Sequence, residues 1–278
     1  MISTHRQPSR LFLLLLYLYL IVPLAGNRVE AGETLKQLPT LEQALERALS
    51  RTIPHLPSQG DLVMLEVKRN YDLILARREQ LEISREVQGH FEKAVTQAEK
   101  KFEEGEGDIS QSAITKLKLG LTGTLNDIVR FESDTALAKL RLEQYLGIQW
   151  AGDVDISGPK FRPADFPYKT VEEYLKKKSS SSKPGKMKKT DRAGLFERRA
   201  AMIEVNLARE KLVLGRKSRK MTRALLVTEV ANYDFGIGNE SDLFEALIIY
   251  TRVLVGYYDT IYDFNLAVHR FMKIDSER

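Results

Sequence analysis

The chain has 278 residues, 43% hydrophobic and 29% charged, with 17 Gly, 9 Pro, no Cys and a formal net charge of +5. That length can bury a sizeable core, and the ordinary glycine and proline content excludes collagen-like and wholly disordered chains. Without cysteine there is no disulfide framework, zinc ribbon, thiol nucleophile or N-terminal lipid-modified cysteine; the modest positive charge does not demand nucleic acid, and none is expected as a partner.

The N-terminus reads as a targeting signal. His5, Arg6 and Arg10 precede an apolar run of twelve residues, 11–22, which Pro23 breaks. A membrane-spanning helix needs ~20 apolar residues and a signal-peptide core ~7–15. Val29-Glu30-Ala31 is a small-x-small cleavage site, so residues 1–31 are expected to be a signal peptide and the mature chain to start at Gly32. Beyond it no apolar run approaches ~18 residues, and the alternating ~10-residue segments of a membrane barrel are missing. An exported protein without cysteine cannot draw its stability from disulfides.

The chain then repeats itself. Thr40-Leu41-Glu42-Gln43-Ala44-Leu45 matches Thr170-Val171-Glu172-Glu173-Tyr174-Leu175 at an offset of 130. Phe102-Glu103-Glu104-Gly105-Glu106-Gly107-Asp108 matches Tyr233-Asp234-Phe235-Gly236-Ile237-Gly238-Asn239 at an offset of 131, and Phe131 and Ala136 fall on Tyr262 and Ala267. Landmarks in one order at nearly one spacing indicate an internal duplication. The expected division is a first repeat over 32–148, a connector over 149–169 and a second repeat over 170–278, with a flexible basic loop at 176–189.

Each repeat reads as a short helix, a linker and two long helices around a glycine turn. Val67, Tyr71, Ile74, Leu81, Phe91, Val95, Ala98 and Phe102 step at helical spacing through residues 61–104. Ile114, Leu117, Leu121, Leu125, Ile128, Leu142 and Tyr145 do so through 110–147. In the second repeat Phe196, Ala200, Ile203, Leu207, Leu214, Met221 and Leu225 form one stripe, and Leu243, Leu247, Tyr250, Leu254, Tyr257, Ile261 and Phe264 another. Residues 61–104 would span ~66 Å as a helix. The fold class is therefore all-α: elongated antiparallel hairpins, internally duplicated, in a coiled-coil-like barrel or bundle.

Gly105 and Gly107 are placed to end the first long helix with positive φ, and Asp108 to cap the next with Gln111 as reciprocal partner. Gly236, Gly238, Asn239 and Asp242 repeat the arrangement. Residues 51–60, with Pro54, Pro57 and Gly60, read as a linker, as does the lysine- and serine-rich stretch 176–189. No catalytic constellation is present. His5, His55, His90 and His269 are scattered without metal-ligand spacing, and the glycine turns follow helices rather than strands. No cofactor, metal or enzymatic activity is expected.

A signal peptide, a duplicated helical hairpin and aromatic-x-x-Gly-x-Gly turns together resemble the TolC-like outer-membrane efflux protein family. The likeness is best at Asn232-Tyr233-Asp234-Phe235-Gly236-Ile237-Gly238, at Asp242-Leu243-Phe244-Glu245-Ala246-Leu247 and at Ile261-Tyr262-Asp263-Phe264-Asn265-Leu266-Ala267. The resemblance implies a homotrimer whose protomers build a long periplasmic tube and whose glycine turns meet a periplasmic adaptor protein of an inner-membrane pump. It would place Phe102, Gly105, Gly107, Asp108, Tyr233, Gly236, Ile237, Gly238, Asn239 and Asp242 at the adaptor-facing tip. It also implies four barrel strands, two in each repeat between the opening helix and the long helix. Here those places hold only residues 51–60 and roughly 176–191. A membrane strand needs ~9–11 residues, and a pair with its turn over twenty. The chain thus reads as the helical part of such a protein, exported to the periplasm and associated with the outer membrane. The expected function is that of a component of an efflux or export assembly. The alternative is a non-conducting periplasmic structural or interaction protein built on the same hairpins.

Overall fold

The computed structural model describes residues 33–51, 57–105, 109–156, 160–181 and 192–276. The chain divides into two units, Met1–Glu33 and Thr34–Arg278. The first, where the signal peptide is expected, lies outside the described residues except for Glu33, as do Gly107 and Asp108. The elements are β1 (Glu33–Gln37), α1 (Leu41–Ser50), α2 (Pro57–Glu103), α3 (Gln111–Leu146), β2 (Ile148–Asp155), α4 (Val171–Ser181), α5 (Arg192–Asp234) and α6 (Glu240–Ser276). The order short, long, long occurs twice, and the described residues are predominantly helical, as expected.

Local chemistry sets the helix starts. Thr40 accepts from Gln43 N through Oγ1 at 3.2 Å, while its own N–H donates to Gln43 Oε1 at 3.0 Å. Thr170 and Glu173 build the same reciprocal box at the start of α4. The sequence landmark at an offset of 130 is thus a repeated capping box, with each hydroxyl contributing about 1 kcal/mol. At 47 residues, α2 reaches about 70 Å.

The long helices lie in one row, α3–α2–α6–α5. Helix α2 packs against α3 and α6, α6 also packs against α5, and α3 makes a smaller contact with α6. Phe91, Ala94, Ala98, Leu117, Leu247 and Tyr250 fill the layer toward the glycine turns. Val67, Ile74, Ala138, Leu142 and Leu146 join α1, α2 and α3 at the other end. A part-buried polar cluster, with Gln80 fully buried, crosses the middle. Arg77 donates to Asp134 on α3 at 2.8 Å and to Asp259 on α6 at 3.1 Å, and Gln80 Nε2 donates to Val255 O at 2.9 Å. Buried polar groups held in this way fix the register of neighbouring helices.

Three boundaries differ from the sequence reading. The connector 149–169 is not irregular at its start: Gly147, at φ 62, ends α3 in the left-handed region, and the chain reverses into β2, which pairs with β1. Trp150 pins this strand to α3, donating through its backbone N–H to Glu143 Oε1 at 2.9 Å and through Nε1 to Lys139 O at 3.0 Å. The basic loop starts later than expected, because residues 176–181 continue α4. Tyr174 and Lys178 anchor that helix on the buried carboxylate of Asp275. Residues 182–189 lie outside the described residues. The linker 51–60 is likewise shorter, since α2 begins at Pro57.

Gly120 on α3 marks the tightest approach: a Cβ there would lie 2.5 Å from the buried Phe91 ring and 3.1 Å from Phe244. Gly123, one turn on, would meet nothing within 4 Å. Gly120→Ala is expected to cost about 1–3 kcal/mol by overpacking. Gly123→Ala is expected to add about 0.5–1 kcal/mol through helix propensity. Urea denaturation of the two variants side by side checks this pair of opposite signs.

Candidate functional site

The expected site is the pair of glycine turns, and the structure brings them to one end of the layer. Lys93 on α2 reaches Asp234 on α5 with N–O distances of 2.7 and 2.8 Å, and Lys118 on α3 reaches Glu99 on α2 at 2.7 Å. Exposed pairs such as these contribute little to stability.

The second turn has full helix-end chemistry. Gly236 takes φ 71, its N–H bonds Tyr233 O at 3.0 Å, and Ile237 N bonds Asn232 O at 2.9 Å. This is a Schellman ending with Gly236 at its left-handed position. Such endings commonly pack the residue after the glycine against an apolar residue on the last turn. Here the matching position is Asn232, so Ile237 finds no apolar partner and is 81% exposed. Phe235 beside it is 80% exposed. Gly238 does not have positive φ, contrary to expectation. It is needed for room, since a Cβ there would sit 3.1 Å from Tyr233 N and from Asn232 Cβ. Asn239 caps α6 as expected, accepting from Ser241 N and Asp242 N at 2.9 Å and donating to Asp242 at 2.8 Å.

The first turn follows the same plan at its start. Gly105 takes φ 68 and its N–H bonds Phe102 O at 3.3 Å. The described cap of α3 is Ser110, whose Oγ accepts from Ala113 N at 3.1 Å, so the capping role expected of Asp108 falls to Ser110. Phe102 is 46% exposed.

Tyr233 does not face outward. It is 4% exposed, its hydroxyl donates to Ala94 O at 3.4 Å, and Lys101 lies over its ring at 5.5 Å. Burial, with Glu240 and Asp234 nearby, pushes its pKa up to about 12. The exposed apolar groups at this end are Phe102, Phe235 and Ile237. Phe235 carries no sequence signal beyond its place between a buried aromatic and a glycine.

A second feature escaped the sequence reading. The stripe Phe196, Ile203, Leu207, Leu214, Met221 and Leu225 is helical as expected, but it points away from the layer and is exposed along its length. The inward face of α5 is instead Ala201, Met202, Val205, Ala208, Leu212 and Leu226. On the opposite outer helix, α3, Leu119, Leu125, Val129, Leu137 and Leu140 are also exposed. Among the described residues no cluster of His, Asp or Glu is arranged to hold a metal. No described helix is long and apolar enough to cross a membrane.

No family model and no curated protein matches the sequence. Solved structures do match. The outer-membrane channel OprN aligns with a TM-score of 0.61 at 12% identity, over 84% of this chain and 69% of that one. CusC, described in terms of transmembrane channel formation, aligns with a TM-score of 0.58 at 11% identity, over 84% and 70%. The CmeC outer-membrane channel of Campylobacter jejuni aligns with a TM-score of 0.57 at 10% identity, over 84% and 65%.

The turn geometry sets distinct expectations for neighbouring residues. Gly236→Val should lower stability by about 1–2 kcal/mol or more, because a β-branched side chain is strained at positive φ. Ile237→Asp should leave the thermal midpoint within a degree or two, since surface changes are small in effect. Thermal unfolding followed by circular dichroism distinguishes them. The fold these residues complete is the helical fold of TolC-like outer-membrane channels.

Proposed function

We propose that the chain is a TolC-like component of an envelope efflux or export assembly, acting as a section of periplasmic tube wall rather than as a catalyst. The observation that carries this reading is the pair of uncovered apolar flanks on α3 and α5, the two ends of the helix row. Counted from the helix ends at Gln111 and Asp234, Leu119, Leu125, Val129 and Leu137 lie within two residues of the heights of Leu225, Met221, Leu214 and Leu207. Flanks matched in height allow α3 of one copy to pack against α5 of the next. A head-to-tail contact of this kind closes into a ring when its rotation permits, and a homotrimer fits the resemblance.

In this reading Phe102, Phe235 and Ile237 form the end of the tube that docks a periplasmic adaptor, itself bound to an inner-membrane pump. Apolar side chains without intramolecular partners are what such a partner could bury. Gly105, Gly236 and Gly238 hold the turns in shape, and Asn239 and Asp242 cap the helix behind them. The protein would act at the periplasmic side of the outer membrane.

Leu214→Glu combined with Met221→Glu should convert the assembled species to monomer while leaving helicity unchanged, as read by light scattering and circular dichroism. Cells lacking the protein should become sensitive to exported compounds. Wild type should restore resistance, while the flank double variant and Ile237→Asp should not. Full restoration by both variants would favour a non-conducting structural role.

A further inference from the structure

Helix α6 lies between α2 and α5, whose backbones stay apart and whose side chains meet across it near the glycine turns, at Lys93–Asp234 and Tyr233–Ala94, so a trough one helix wide runs over it. The half of this trough far from the glycine turns is filled by the chain itself. Phe161, Phe166 and Tyr174, from the strap 160–168 and α4, pack there onto Leu75, Met202 and Phe271. Side chains from all three trough helices hold the strap: Glu79 accepts from Phe161 N at 3.3 Å, Asn265 from Ala164 N at 2.7 Å, and Arg209 donates to Phe166 O at 2.9 Å. The strap ends the covered part. Beyond it, toward the glycine turns, the trough continues as an open groove of about 740 Å³.

The walls of the open part differ in free charge. On the α5 side stand Arg216, Arg219 and Arg223. None of them takes part in the ion pairs of the described residues, although Arg219 lies over the Tyr257 ring at 5.0 Å. On the α2 side Glu79 is paired with Arg78 at 2.6 Å, while Glu86, which accepts from the Tyr250 hydroxyl at 3.0 Å, keeps its negative charge. Glu82 is exposed. Lys160 and Arg162 add positive charge where the strap begins, and the exposed Asp165 adds one negative charge further along it. The floor is amphipathic, formed by Tyr250, Leu254 and Tyr257.

We propose that this open half of the trough binds an acidic amphipathic helix of a partner protein. The occupant is protein because the covered half of the same trough already receives protein, with apolar side chains on α6 and polar contacts to both walls. It is helical because the arginines recur at i, i+3 and i+7 over ~10 Å, the interval at which one face of a helix presents its carboxylates. Its apolar side lies on Leu254 and the tyrosine rings, and its acidic side faces α5. The proposal is independent of adaptor docking at the glycine turns.

The test uses the full chain and a labelled peptide of about 20 residues, with Glu at i, i+3 and i+7 on one face and Leu on the other. Fluorescence anisotropy measures binding, with a sequence-scrambled peptide of equal charge alongside. Arg216→Gln with Arg223→Gln should weaken binding at least about tenfold. Lys211→Gln with Lys217→Gln, an equal charge change at exposed α5 positions outside the groove, should change it less than about twofold. As a second probe, Glu82→Lys should tighten binding. Equal loss in both double variants, equal binding of the scrambled peptide, no binding to the wild-type chain, or displacement of the peptide by a phosphorylated oligosaccharide that binds more tightly would each overturn the proposal.

Discussion

A long helix in a row is covered on both flanks only if it lies inside the row. Helices α2 and α6 satisfy this condition; α3 and α5 do not. Both inner helices therefore carry the part-buried polar cluster around Arg77 and Gln80, in which Arg77 reaches neighbours on both sides. The outer helices keep an apolar face that nothing among the described residues covers. Each large apolar side chain moved from water into a seam contributes about 1.5–3 kcal/mol. A seam of eight such residues is comparable with or larger than the roughly 4–15 kcal/mol cost of association. In the proposed assembly, the uncovered flanks are what would turn a helical layer into a section of something larger.

The strap and α4 supply a second covering over one half of one face. Irregular backbone is costly when buried unless its polar groups find partners. Asn265 meets that need twice, accepting from Ala164 N at 2.7 Å and donating to Arg162 O at 3.2 Å. Arg209 bonds the carbonyls of Phe166 and Tyr168 at 2.9 and 2.7 Å. At the end of the covered half, Asp275 draws in Tyr174 at 2.9 Å and Arg198 at 3.2 Å, locking α4, α5 and α6 together. Breaking one partner of a buried arrangement of this kind is more damaging than its net contribution suggests, because a desolvated charge is left behind.

Much of the architecture was legible in the sequence because it rests on local chemistry. The capping boxes at Thr40 and Thr170 and the left-handed glycines at 105 and 236 act within a few residues, so spacing alone reveals them. Direction was not legible. Helix α5 has two apolar faces, one of large residues and one built around Ala201 and Ala208, and periodicity cannot say which faces the layer. The larger stripe drew the reading, yet close approach to α6 selects the smaller residues. Tyr233 and Phe235 posed the same difficulty at the turn: two aromatics two residues apart, of which one fills a hole beneath Lys101 and the other is left in solvent. The continuation of α4 to Ser181 depends on Asp275, a hundred residues away in sequence, and no local signal announces it.

The proposed assembly requires α3 of one copy to meet α5 of the next. The chain contains no cysteine, so a variant carrying Val129→Cys and Leu214→Cys reports on that contact directly. Within one chain α2 and α6 separate the two positions, so a disulfide between them can only join copies. Oxidation of the assembled protein followed by denaturing electrophoresis should give covalent dimer and trimer with nothing larger. Protein that remains entirely monomeric under oxidation would contradict the account.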